Sequence, residues 1–321
     1  MLVVLLCVLL SPILVAQSPP SFRVKAEFIQ VPVTVLDSEG RLLPNLTRQQ
    51  FVLLDEQEPR PIENFLLDRT PLHVLLLLDV SASLRGELEE IRKTAYQFAH
   101  SFDPEDQMAV VTFSDGLQVL QNWTSDRGSL RRSLKQLERG YRTALYDALE
   151  FSARDTMGPV SGKKVIILLT DGLDNQSISG FEAALELLLE SDISLYIVSR
   201  TRLVRTRIEE SDRVDFLNQV MKNVLGEDKD FVATYFQEKE ASLARLAAVT
   251  GGRIFFPEKL DDLRESYMAV AQELQSQYLL TFRPPQTSQK DFRTIQVLCT
   301  EEVGRIRHRQ QYHWSGVPLN H

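Results

Sequence analysis

Residues 72–83, LHVLLLLDVSAS, decide the fold. No polar residue interrupts Val74 to Leu78, and turn-forming chemistry follows at once. Such a run predicts a strand buried on both faces of a mainly parallel sheet. Oxygen-bearing side chains then recur at every second position, Asp79, Ser81 and Ser83. A loop leaving the strand can turn one carboxylate and two hydroxyls toward a single point, a donor set that suits a hard divalent cation.

The pattern repeats downstream in residues 163–172, KKVIILLTDG, where Val165 to Leu169 read as a second doubly buried strand ending at Asp171 and Gly172. Between the two, Leu88, Ile91, Ala95, Phe98 and Phe102 recur at helical spacing within 86–102. Residues 108–113 read as a strand and LQVL at 117–120 as a short antiparallel edge. Helical patterns follow over 127–137 and 144–154. Beyond Gly172 come a helix at 181–190, a strand at 193–198 and a charged, irregular segment at 200–238 with short helices near 212–224. A helix at 242–250 stops at Gly251-Gly252, then a strand RIFFP and a helix over 261–277 complete the block. Strand and helix alternate throughout, which predicts a doubly wound α/β sheet.

The flanks are β in character. FRVKAEFIQVPVTVL at 22–36 alternates apolar and polar residues, and short strands near 51–55 and 62–67 are interrupted by Pro44, Pro59 and Pro61. Residues 278–316 return to the same style. About fifty residues are marginal for an independent core, so the expected assembly is one small β-sandwich made by the two terminal segments, 20–70 and 278–316. The α/β domain at 71–277 is inserted between them.

Residues 1–16, MLVVLLCVLLSPILVA, carry no charge and precede the small residues Ala16 and Ser18. They read as an export signal ending after about Ala16, with an uncleaved membrane anchor as the alternative. Export places the mature chain in the cell envelope, the periplasm or outside the cell. Without the signal Cys299 is the one remaining cysteine, so no intramolecular disulfide can form, and its setting in TIQVLCT reads as a small buried hydrophobe. The net charge of -8 opposes a nucleic-acid partner, which is bound through concentrated Lys and Arg.

In open α/β sheets ligands bind beyond the carboxyl ends of the strands. Asp79, Ser81, Ser83 and Asp171 all lie there, and Thr143 in RTALYDAL heads a helix from a loop bordering the same crevice. Two carboxylates only just balance a divalent ion and hydroxyls are weak donors, so a metal held by these five keeps a position that an incoming carboxylate can fill. Asp115 and Asp174 read as turn residues at the same edge. The five histidines show no metal-ligand spacing, and the basic cluster Arg200, Arg202, Arg205 and Arg207 follows a strand end, where it could border the site, but reads first as a solvated charged face.

With these residues in place, the sequence resembles the von Willebrand factor type A domain, the integrin I-like fold. The metal-ion-dependent adhesion site of that family combines D-x-S-x-S with a distant Thr and a distant Asp. Asp79-Val80-Ser81-Ala82-Ser83, Thr143 and Asp171 match every member of the set. The flanks VPVTVLDSEGRLLPNL, VTGGRIFF and QYLL are similar to the bacterial secreted VWFA-related family first grouped in acidobacteria. The resemblance implies a non-enzymatic adhesion module that holds Mg2+ or Mn2+, with Ca2+ as a further candidate, and binds a protein ligand through a carboxylate on the metal. Two alternatives stand beside it: a β-sandwich scaffold with a vestigial metal site, and a magnesium-dependent phosphohydrolase with Asp79 as nucleophile. The second lacks the general-acid carboxylate two residues on, where Ser81 stands.

Overall fold

The apolar run forms β5 (Leu72–Asp79), in which every residue from Val74 to Asp79 is buried. A computed structural model describes residues 28–82, 86–210, 213–225, 230–285, 291–301 and 303–314. Strand β5 lies between two parallel neighbours, β6 (Gln107–Phe113) and β8 (Lys163–Thr170), with Leu76 opposite both Val110 and Ile167. The sheet extends from β8 through parallel β9 (Ile193–Ser199) and β10 (Ile254–Phe255), and from β6 to the antiparallel edge β7 (Leu117–Thr124).

Alternation along β5 divides its side chains between two cores. Val74, Leu76 and Leu78 pack with α1 (Leu88–Ala99), α2 (Arg127–Leu134) and α8 (Asp262–Leu274). Leu75 and Leu77 pack on the other face with α3 (Leu145–Phe151), α4 (Phe181–Glu190) and α7 (Phe231–Val249). Burying each such side chain contributes about 1.5–3 kcal/mol. That is why an unbroken apolar run belongs at the centre of a sheet covered on both sides.

Two four-stranded antiparallel sheets form the sandwich. One has the order β13 (Arg305–His308), β1 (Ile29–Leu36), β11 (Tyr278–Phe282), β4 (Asn64–Leu67). The other has β14 (Gln311–Trp314), β12 (Asp291–Cys299), β2 (Phe51–Asp55), β3 (Glu58–Arg60). Each mixes strands from before and after the α/β block, with Val31 opposite Leu280 and Leu53 opposite Val297. Val31, Val33, Leu53, Leu280, Val297 and Trp314 belong to the core between the sheets. The insertion of a doubly wound α/β unit into a split sandwich is therefore as expected.

Several local readings differ. The segment read as irregular is helical over most of its length: α5 (Thr201–Glu209), α6 (Arg213–Leu225), and α7, whose second half is the helix expected at 242–250. Polar chemistry organises it. The Asp230 side chain caps α7 by accepting from Ala233 N–H, Asn218 Oδ1 accepts from Phe231 N–H at 3.1 Å, and Arg205 pairs with Glu209 one turn on. The edge strand β7 is longer than LQVL, whereas β10 keeps only two residues of RIFFP. Residues 303–314 divide between both sheets, and Cys299 is half-buried at a strand end and not a core residue. The signal at 1–16 and the opening strand before Phe28 lie outside the described residues. Among the described residues no helix is long and apolar enough to cross a membrane.

Candidate metal centre

Strands β5 and β8 are parallel neighbours, so Asp79 and Asp171 emerge side by side at their carboxyl ends. This is also where the strand order reverses: the chain proceeds from β5 to β6 on one side and builds β8, β9 and β10 on the other. Both Asp79 oxygens are held. Oδ1 accepts from Ser81 N–H at 3.0 Å, and Oδ2 accepts from the Thr170 hydroxyl at 2.9 Å. Asp171 Oδ1 accepts from Leu173 N–H at 3.0 Å, whereas its Oδ2 is buried without a hydrogen-bond partner. Gly172 turns the chain away at φ +74°, a conformation that favours glycine, and a Cβ there would come within 2.9 Å of Leu243 Cδ1.

The Thr143 loop is tied to the same edge of the sheet by loop-to-loop hydrogen bonds. Gly140 N–H donates to Val80 O at 2.8 Å, tying the Thr143 loop to the loop after β5. Thr143 N–H donates to Asn175 Oδ1 at 3.1 Å, and the N–H groups of Asn175 and Gln176 return to Thr143 O at 3.1 and 3.2 Å. Asp79, Ser81, Thr143 and Asp171 are all buried. Ser83 lies outside the described residues. Asp115 accepts from Tyr141 N–H and Asp174 from the N–H groups of Gln176 and Ser177, the turn roles expected of them.

Two residues in the centre escape sequence reasoning. Arg200, read as part of a solvated face, is wholly buried immediately after β9. Its Nη2 lies 4.0 Å from Asp79 Oδ2 and 4.0 Å from Asp171 Oδ2. Its Nη1 donates to Glu87 Oε2 at 3.2 Å, and Glu87 is itself buried just ahead of α1. The one available signal is position, because Arg200 directly follows a strand whose every residue is buried.

Burial and the neighbouring Asp171 charge push the Asp79 carboxyl up to about 6, and Arg200 only partly offsets them. Among the described residues no three His, Cys, Asp or Glu side chains gather as a metal group. The candidate donors are two carboxylates with the hydroxyls of Ser81 and Thr143, oxygen throughout, and one carboxylate oxygen is buried without a hydrogen bond. That set fits a hard divalent ion and not a soft one. A cavity of about 540 Å³ bordered by Gly162, Lys164, Asp192 and Trp314 opens at the opposite ends of the strands and is separate from this centre.

Residues 74–173, from β5 through the Asp171 loop, match the von Willebrand factor type A domain model. The chain carries a von Willebrand factor type A domain. Solved structures similar to it include an aerotolerance-related membrane protein from Bacteroides fragilis, at 17% identity over 63% of this chain and 98% of that one, TM-score 0.45. Another is the vWF domain of the type V pili tip protein Mfa5 from Porphyromonas gingivalis, at 24% identity over 33% of this chain and 39% of that one, TM-score 0.31. A third is proximal thread matrix protein 1 from the mussel byssus, solved with a zinc-occupied MIDAS motif, at 15% identity over 68% of this chain and TM-score 0.48. The alignment spans 49% of the mussel protein. No curated protein matches the sequence.

Proposed function

We propose that the type A domain is a non-enzymatic, extracytoplasmic binding module that takes a protein partner through a divalent metal, Mg2+ or Mn2+ first, held by Asp79, Ser81, Ser83, Thr143 and Asp171. What supports this reading is the pair of buried carboxylates, Asp79 and Asp171, side by side at the strand-order reversal, with buried Ser81 and Thr143 on loops tied to that edge and Asp171 Oδ2 lacking a hydrogen bond. A bound ion would supply an electrophilic position for an incoming carboxylate. This chain's residues orient that position. Thr170 and the Ser81 amide fix Asp79, Asn175 fixes the Thr143 backbone, and Gly172 directs Asp171. The domain limits adopted are 71–277 for the type A unit, with 20–70 and 278–316 as the halves of the sandwich and 1–16 as an export signal. Membership in the secreted VWFA-related family accords with the split sandwich.

Calorimetric titration of the chelator-treated protein with Mg2+ and Mn2+, beside Asp79→Ala, tests the reading. Saturable binding that the variant loses is expected. If the wild type takes up neither ion, the metal-dependent reading fails and the scaffold alternative replaces it.

A further inference from the structure

Arg200 is a fixed cation inside the candidate metal centre. Its backbone N–H donates to Thr170 O at 2.7 Å, one residue before Asp171, so the guanidinium is anchored to the strand that presents the second carboxylate. Nη2 stands equidistant, at 4.0 Å, from Asp79 Oδ2 and Asp171 Oδ2. The other end of the fork is engaged by Glu87 Oε2, and Glu87 Oε1 in turn accepts from Arg207 Nη2. Glu87 lies on the segment joining the loop after β5 to α1. Thus three carboxylates, Asp79, Asp171 and Glu87, share a guanidinium that is wholly shielded from solvent.

Resting on the metal reading above, we propose that Arg200 is an internal counter-cation that shares Asp79 and Asp171 with the divalent ion, holding the two carboxylates together without metal and keeping metal affinity low. The reasoning is electrostatic. Two like charges buried side by side repel, and a cation within about 4 Å of both relieves that repulsion most where water is excluded. The same positive charge repels an arriving divalent ion. Arginine suits this role because its guanidinium stays charged on burial and can face several oxygens at once. Glu87 sets how strongly Arg200 leans on the site, since it draws the opposite edge of the guanidinium toward α1.

The test uses the full chain, with Mg2+ affinity read by calorimetry and melting temperature read without metal. In Arg200→Gln, Mg2+ affinity should rise about tenfold or more, the metal-free melting temperature should fall, and the upward shift on adding Mg2+ should exceed that of the wild type. Arg200→Lys, which keeps a charge, should stay closer to the wild type. Glu87→Gln removes the carboxylate charge that draws Arg200 away from Asp79 and Asp171 and should weaken Mg2+ binding, and it carries the test if Arg200→Gln does not fold. Opposite signs in the two variants are not expected of a merely structural ion pair. Equal Mg2+ affinity in wild type, Arg200→Gln and Glu87→Gln overturns the counter-cation while leaving the metal site intact. Absence of Mg2+ and Mn2+ binding in all of them overturns both.

Discussion

Asp79 combines full burial with a carboxyl held near 6 by desolvation and by Asp171. Its folded-state value lies above the ordinary value of 3.8, so its contribution to metal-free stability is fully present below that value and is lost as pH rises through about 6. At about 1.4 kcal/mol per unit, the loss is at most about 3 kcal/mol. Metal-free protein should therefore melt at lower temperature at pH 7 than at pH 5, measured relative to Asp79→Asn, which cannot ionise. Equal pH dependence in the two would show that Asp79 does not titrate in this window. Because a ligating carboxylate must be deprotonated, Mg2+ affinity should also drop by up to about tenfold per unit below pH 6. Asp79 and Asp171 were legible because each ends an unbroken apolar run, where a charged residue has few ordinary structural duties. Arg200 was not. In sequence it stands among Arg202, Arg205 and Arg207, and nothing in that spacing distinguishes the one side chain that turns inward.

At the scale of elements, legibility followed the contrast between buried and exposed faces. Strands β5, β8 and β9 and helix α4 were readable because their apolar residues meet a core on the expected side. Helix α6 was not. Val220 and Val224 on it are exposed, so these two apolar residues mark no buried face. The glycine pair after α7 was legible as a helix stop, yet its tighter role lies in packing. A Cβ at Gly252 would fall 2.0 Å from Leu195 O on β9, and Gly251, at φ +82°, passes within 2.6 Å of Arg309 N by the same measure. Gly252→Ala must displace backbone on one side or the other and should cost about 3 kcal/mol or more, seen as a lower urea midpoint with an unchanged slope. A shift below about 0.5 kcal/mol would mean that the turn relaxes without disturbing β9.

Across the whole molecule, the split sandwich and the inserted domain meet through a buried polar network that no local pattern reveals. Glu273, at the end of α8, accepts from Tyr196 OH of β9 at 3.1 Å, from Thr34 Oγ1 of β1 at 3.3 Å and from Arg307 Nε of β13 at 3.2 Å. Gln277 donates to both Thr34 Oγ1 and Tyr196 OH, at 3.3 and 3.2 Å. A carboxylate in this position is stable only while its partners remain, and its removal leaves Arg307 largely buried and uncompensated. Glu273→Ala should therefore cost about 3–5 kcal/mol, the range for breaking one side of a buried pair. The chain supplies its own reporters, because its two tryptophans fall one on each side of this junction, Trp123 on β7 and Trp314 on β14. In Trp123→Phe and Trp314→Phe, each retaining one reporter, urea unfolding should follow a single shared midpoint while Glu273 is present. Adding Glu273→Ala should separate the two midpoints, because the sandwich and the type A domain then lose the contact that makes unfolding of one expose the buried charge of the other. Coincident midpoints in the Glu273→Ala background would instead assign the coupling to the chain crossings at residues 67–72 and 274–278, which join both units covalently.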